Sequence, residues 1–212
     1  MPFRAVAIAP EGWGFIVVPL ALTLALAWVG WLKVAVVCLG VSAFMVFFFR
    51  DPERTAPQVP GAILAPADGR VSDVRSRLDD PFVGPARQVS IFLSPLDVHV
   101  NRSPLGGLVV AVDHRAGAFL PAYRAEASER NEQTSVAIQG EAARVVVRQI
   151  AGVLARRIVC RVGPGDKLLA GERFGMIRFG SRVDVVMPVS VRLSVQRGDR
   201  VRAGKSILGV LP

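Results

Sequence analysis

Cysteine, histidine and lysine are all scarce in this chain of 212 residues, and each shortage closes off a class of function. The two cysteines, Cys38 and Cys160, cannot build a disulfide framework, and a reducing compartment suits both. The two histidines, His99 and His114, do not cluster with them at zinc-ligand spacing. Aromatic residues are also few, at 11 Phe, 3 Trp and 1 Tyr, and many lie in the N-terminal hydrophobic region. The net charge of +9 therefore comes without the stacking platforms that a nucleic-acid surface uses, and no nucleic-acid partner is expected. A 51% hydrophobic, 20% charged composition excludes disorder, and the length allows one compact domain with a small addition.

The addition is marked by an absence of charge. No charged residue occurs from Phe15 to Leu32, and after Lys33 none occurs from Val34 to Phe49. Each run is near or below the roughly 20 residues that cross a bilayer core of about 30 Å, so the pair reads as two thin spans or a hairpin dipped into one leaflet. A buried soluble hairpin is the plainer alternative. A secretory signal fits poorly, because the first run lacks a small-residue cleavage pattern and leads directly into the second. Trp13, Trp28 and Trp31 lie at segment ends, as headgroup-level rings do. Arg4, Arg50 and Arg54 flank the pair and only Lys33 lies between its halves, which predicts a membrane location with both ends and all downstream residues on the cytoplasmic face.

Residues 1–50 thus form a membrane-associating hairpin, and the proline-bearing stretch RDPERTAPQVP leads off it, with 51–60 read as a linker. From 61 to 212 the chain runs as short β-branched segments divided by Gly, Pro and Asp, which predicts a mainly β domain. Only Ala122 to Glu132 reads as loop or short helix. Gly165-Asp166-Lys167-Leu168-Leu169-Ala170-Gly171 is echoed by Gly198-Asp199-Arg200-Val201-Arg202-Ala203-Gly204. Such a repeat resembles the duplicated hammerheads of lipoyl- and biotinyl-type barrel-sandwich domains, a likeness of fold only. Carrier function is disfavoured. Of the three lysines, Lys33 is in the hydrophobic region, and Lys167 and Lys205 belong to the repeats rather than to a hairpin for a prosthetic group.

Three segments carry chemical interest. Pro66-Ala67-Asp68-Gly69-Arg70-Val71 is by itself a turn. Phe92 to Arg102 runs from a strand through a proline turn and sets Asp97, His99, Asn101 and Arg102 within six residues. If extended, Asp97, His99 and Asn101 share a face, where a carboxylate can set the imidazole's tautomer; a hydrogen-bonded structural histidine is the alternative. His114 lacks such company. In Phe179-Gly180-Ser181-Arg182-Val183-Asp184 the Gly180 carbonyl, with no Cβ beside it, is open to the Ser181 hydroxyl. An N→O acyl shift there gives an ester, and β-elimination cuts the chain to leave a pyruvoyl group.

Taken together, the hydrophobic hairpin with its Arg50-Asp51-Pro52-Glu53-Arg54 exit, the PADG segment, LSPLDVHVNRSP, the Ala127-Ser128-Glu129-Arg130-Asn131-Glu132 loop and the late GSR resemble the phosphatidylserine decarboxylase proenzymes in their short prokaryotic form. The family commonly has Leu-Gly-Ser-Thr where this chain has Phe-Gly-Ser-Arg, and its longer members have a second histidine where this chain has Arg102. The resemblance implies self-cleavage between Gly180 and Ser181 into a large chain, 1–180, and a small chain, 181–212, that stay paired as a heterodimer. Ser181 would become the pyruvoyl cofactor, which forms a Schiff base with the amine of phosphatidylserine and accepts electrons as CO2 leaves. Ser181, His99 and Asp68 are the implied catalytic set, with His99 serving both cleavage and turnover because Arg102 replaces the second histidine. Asp68 would orient His99 or stabilise its charge, and Asn101, Arg102 and Arg182 are candidates for contacting substrate. Beyond residue 50 there are 23 basic against 16 acidic side chains, a bias that draws a tethered domain to anionic headgroups. A non-catalytic membrane-tethered adaptor explains the hairpin, the repeats and the charge, but neither DVHVNR nor the Gly-Ser site.

Overall fold

The computed structural model describes residues 7–122, 124, 126–153, 157–178 and 180–212. Arg4, Phe179 and, within the polar stretch, Tyr123 and Ala125 lie outside the described residues. The chain divides into two compact units, Met1–Glu53 and Arg54–Pro212.

In the first unit β1 (Ala7–Ile8) pairs antiparallel with β2 (Arg50–Asp51), and a helical hairpin runs between them: α1 (Trp13–Trp28) and α2 (Leu32–Phe48). Pro19 inside α1 cannot donate a backbone hydrogen bond. Two hydroxyls serve carbonyls nearby: Thr23 Oγ1 donates to the Pro19 carbonyl at 2.8 Å, and Ser42 Oγ of α2 donates to the Ile16 carbonyl at 2.9 Å. The second bond ties the helices together as polar side chains do in lipid. Apart from Lys33 in the first turn of α2 both helices carry no charge on any face, and in α1 Val18, Leu24 and Trp28 turn outward at 67%, 67% and 90% exposure. Among the described residues one helical stretch, Pro10–Trp28, is long and apolar enough to cross a membrane; Leu32–Phe48 is shorter.

The second unit is a β domain. Its first half contains β3 (Ala62–Leu64), β4 (Gly69–Asp80), β5 (Gly84–Leu93), β6 (Val100–Arg102) and β7 (Gly107–Arg115). After the short α3 (Ala127–Arg130) come β8 (Gln133–Gly140), β9 (Arg144–Ile150), β10 (Ile158–Cys160), β11 (Lys167–Leu168) and β12 (Arg173–Ile177). β13 (Ser181–Pro188), β14 (Arg192–Leu193), β15 (Arg200–Val201) and β16 (Ile207–Val210) complete it. Of the stretch expected to be linker, Asp51 belongs to β2 and Arg54 is anchored in this unit.

An eight-stranded antiparallel sheet has the order β11-β7-β8-β9-β13-β5-β4-β15, and two three-stranded sheets, β10-β12-β6 and β14-β16-β3, accompany it. These orders are symmetric about the β9–β13 pair: β11 matches β15, β7 matches β4, β8 matches β5, and the small sheets exchange. Equivalent backbone bonds repeat. Leu64 N–H donates to the Pro104 carbonyl and Arg102 N–H to that of Pro66; Gly204 N–H donates to Ala65 and Gly171 N–H to Ser103. The duplicated hammerhead is thus present, and Gly171 and Gly204, which close the two repeats, pack on one another near its centre. Period-2 alternation sends Val183, Val185 and Met187 of β13 into the main core with Val89, Ile91, Val145 and Val147. Its other face is also buried, where Val186 packs with Ala86 and Val146 under Leu78 and Phe82.

Candidate active site

Ser181 opens β13 in the middle of the eight-stranded sheet, opposite Leu93 of β5. The residue before it, Gly180, has φ +67°, a left-handed conformation that a side chain would oppose, and open space where its Cβ would stand. The ladder therefore stops at the Gly180–Ser181 bond. Ser181 is fully buried, and its hydroxyl has no hydrogen-bond partner among the described residues. A buried hydroxyl without a partner costs stability, so its retention points to a chemical role.

His99 is brought to the same end of the sheet. Ile177 N–H donates to the His99 carbonyl at 3.4 Å, while Ser181 pairs with Leu93, so the segment through Gly180 and the turn before His99 are tethered at both ends. The imidazole is fully buried, and its Nδ1 lies 2.9 Å from the Asp97 main-chain carbonyl. A carbonyl oxygen only accepts, so in the neutral ring Nδ1 carries the proton and Nε2 the basic lone pair. The tautomer is thus set by a backbone group, not by the Asp97 carboxylate, which caps the turn by accepting from Ser94 N–H at 2.9 Å.

Asp68 lies beyond Leu93 from Ser181, on the strand side where Gly69 packs against the Phe92 carbonyl. Its carboxylate receives both Nη groups of Arg54, at 2.5 and 2.8 Å, and Ala203 N–H at 2.8 Å. Among the described residues Asp68 thus bonds Arg54 and Ala203 rather than His99. The three candidate substrate contacts are all buried and engaged internally. Asn101 accepts from Gln149 Nε2 at 2.8 Å, and Arg102 donates to the Gly171 carbonyl at 3.1 Å. Arg182 lies on the β13 face opposite Ser181, paired with Asp184 at 2.6 and 2.9 Å and bonded to Ser90 Oγ at 3.1 Å; Gln88 also donates to Asp184. His114 sits against Thr134 Oγ1, apart from this group.

Comparison with known proteins matches residues 41–209 to the model of the phosphatidylserine decarboxylase family. The chain belongs to that family. Among curated relatives, the phosphatidylserine decarboxylase proenzyme of Chlorobium phaeobacteroides (strain BS1) is 41% identical over 95% of this chain and 98% of its own length. Those of Symbiobacterium thermophilum and Geobacter sulfurreducens are 45% and 41% identical, each over 97% of this chain and 96% and 97% of their own lengths.

In this phosphatidylserine decarboxylase family member the structure draws attention to three residues to which the sequence motifs gave no role. Arg54 reads in the sequence as a flanking charge and as the end of the exit motif, with no partner, yet it neutralises Asp68. Gly152 and Asn131 lie on the row of the sheet that continues to Gly180. The sequence signal for Gly152 is a glycine closing the strand-like run ARVVVRQIAG, and Asn131 lies within the Ala127–Glu132 loop with no role attached.

Proposed function

We propose that the chain is a phosphatidylserine decarboxylase made as a proenzyme, which cuts itself between Gly180 and Ser181 and acts on phosphatidylserine at a membrane. The observation that carries the reading is the buried, unpartnered Ser181 hydroxyl next to an unobstructed left-handed glycine, at the sheet end shared with His99.

The chemistry follows from the chain's own residues. His99 Nε2 takes the Ser181 hydroxyl proton as the oxygen attacks the Gly180 carbonyl carbon. The Gly180–Ser181 C–N bond then breaks, the nitrogen is protonated, and an ester joins the two segments. Loss of the Ser181 α-proton expels the Gly180 carboxylate, and addition of one water releases ammonia to leave a pyruvoyl terminus on the small chain. Asp68 with Arg54 forms a neutralised pair that fixes the neighbouring turn. The residues fit such a group, since Ser181 is its only source and β5 and β9 hold β13 on both sides through the cut. For the same reason the large and small chains stay paired.

The pyruvoyl carbonyl supplies an electrophile for the substrate amine and a sink for the electrons released with CO2. His99, freed of its first task, is the proton donor to the product carbon. Among the candidate substrate contacts Arg182 is the weakest, because Asp184 and Ser90 occupy its guanidinium. The apolar hairpin tethers the domain to the bilayer, with the domain on the cytoplasmic side, and the basic bias draws it to anionic lipid.

Intact mass of the purified protein under denaturing conditions tests the reading. Two fragments meeting at Gly180/Ser181, the smaller one lighter by one ammonia than its free-serine form, are expected; a single uncut mass from folded protein would refute it.

A further inference from the structure

Self-cleavage needs the Gly180 carbonyl held still while Ser181 attacks, and the sheet register identifies what holds it. β13 and β9 pair Arg182 with Ile150 and Val183 with Gln149, so the same register carried past the ladder sets Gly180 opposite Gly152. β8 and β9 pair Gln133 with Ile150, which carries Asn131 opposite Gly152 on the other side. Asn131, Gly152 and Gly180 therefore form one row across three chain segments.

Contacts along this row are close and specific. A Cβ built on Gly152 would lie 2.2 Å from the Gly180 carbonyl oxygen and 3.4 Å from the Ala122 Cβ. No side chain fits there, and the glycine backbone is the surface on which the scissile carbonyl rests. Asn131 is fully buried and uses its whole amide. Oδ1 accepts from Leu120 N–H at 2.9 Å, and Nδ2 donates to the Leu120 and Ala151 carbonyls, each at 2.7 Å. Ala151 N–H also donates to the Glu132 carbonyl at 2.9 Å. Ala151, the residue leading into Gly152, is thus fixed through both its carbonyl and its N–H.

We propose that Gly152, held in place by Asn131, is the seat of the scissile Gly180 carbonyl, and that both are positioning residues for self-cleavage. The proposal rests on the reading of the chain as a self-cleaving proenzyme. Gly152→Ala places a methyl group that must move about 1 Å to reach ordinary contact, and a displacement of that size costs on the order of 100-fold in rate. Asn131→Asp keeps the acceptor for Leu120 N–H but loses both donated bonds, so it too slows cleavage.

The test follows appearance of the 181–212 fragment over time in full-length wild type, Gly152→Ala, Asn131→Asp and Ser181→Ala, beside thermal melts of each. Hydroxylamine is added in parallel, because it cuts the ester but not the amide. The expected result is a Gly152→Ala chain that melts within a few degrees of Ser181→Ala, cleaves about 100-fold more slowly than wild type, and yields no extra fragment with hydroxylamine, since the ester does not form. Cleavage of folded Gly152→Ala and Asn131→Asp within threefold of wild type would overturn the proposal. So would release of the fragment by hydroxylamine, which would place the defect after attack. Failure of both variants to fold would also overturn it, by making the row a general element of the fold. An uncut wild type would instead bring down the proenzyme reading itself, an outcome distinct from all of these.

Discussion

The Arg182–Asp184 pair is nearly dry, with side chains 4% and 1% exposed, and Asp184→Asn removes its negative charge while leaving an acceptor for Gln88. Arg182 then stays buried without a counter-charge. Breaking such a pair costs about 3–5 kcal/mol, largely from the stranded ion. At about 2–4 °C per kcal/mol for a domain of this size, the melting temperature should fall by about 6–20 °C. The measurement is best made in a Ser181→Ala background, where every molecule is the uncut chain and fragment loss cannot distort the transition. Replacing both partners, as Arg182→Met with Asp184→Leu, should recover most of the loss, because two apolar side chains suit a face already lined by Val186, Ala86 and Val146. A single variant melting within about 2 °C of its parent would show that water reaches the guanidinium and that the pair does not anchor β13.

Other consequences can be checked beside it. His99→Ala should leave a single uncut chain by denaturing mass, and efficient self-cleavage in that variant would remove His99 from processing. Arg54→Ala strands the Asp68 carboxylate with only Ala203 N–H and should cost about 3 kcal/mol in a thermal melt, while Arg54→Lys, which lacks the fork, recovers only part. Burial pushes the Cys160 thiol above its ordinary pKa, outweighing its hydrogen bond to Val162. Less thiolate is then present at pH 8 than in a free cysteine, so in a Cys38→Ser variant iodoacetamide should react more slowly than with glutathione and speed up as pH rises further. Alkylation as fast as glutathione at pH 8 would contradict this. Full-length protein should stay with membranes through a sodium carbonate wash, as the outward Val18, Leu24 and Trp28 require; release into the supernatant would count against membrane anchoring.

What could be read from the sequence followed the strength of the local signal. The uncharged runs gave away the helices, and β-branched periodicity with the Gly-Asp-basic repeat gave away the duplicated β domain. The Gly-Ser bond and His99 stand out as candidates because their motifs are contiguous. Partners joined by long-range pairing were not. Asp68 had no visible claim on Arg54, Arg182 looked free to meet a ligand until Asp184 appeared two residues along the same face, and the tautomer of His99 depends on a main-chain carbonyl that no side-chain pattern reveals. Gly152 acquires its meaning only once the register sets it against Gly180.

The duplication makes the two halves of the β domain directly comparable. Pro66, Gly69 and Val71 recur as Pro104, Gly107 and Val109, and each set makes equivalent backbone bonds: Val71 N–H to the Asp199 carbonyl, Val109 N–H to that of Asp166. Those matches are the residues a hammerhead needs, a turn and a close approach to the facing strand. Among the positions that differ are Asp68 against Gly106 and Arg102 against Leu64. In one half a carboxylate bonds Ala203 N–H and draws in Arg54; in the other, Gly106 leaves the equivalent Ala170 N–H without that carboxylate. Leu64 is a buried apolar side chain, whereas Arg102 sends its guanidinium to Gly171 beside Gly204, between the two repeats. A two-fold scaffold holds two equivalent sheet ends, and the Arg54–Asp68 pair and the buried Arg102 make them unlike. The residues that differ between the halves, more than those that agree, are therefore where substitutions should separate chemistry from folding.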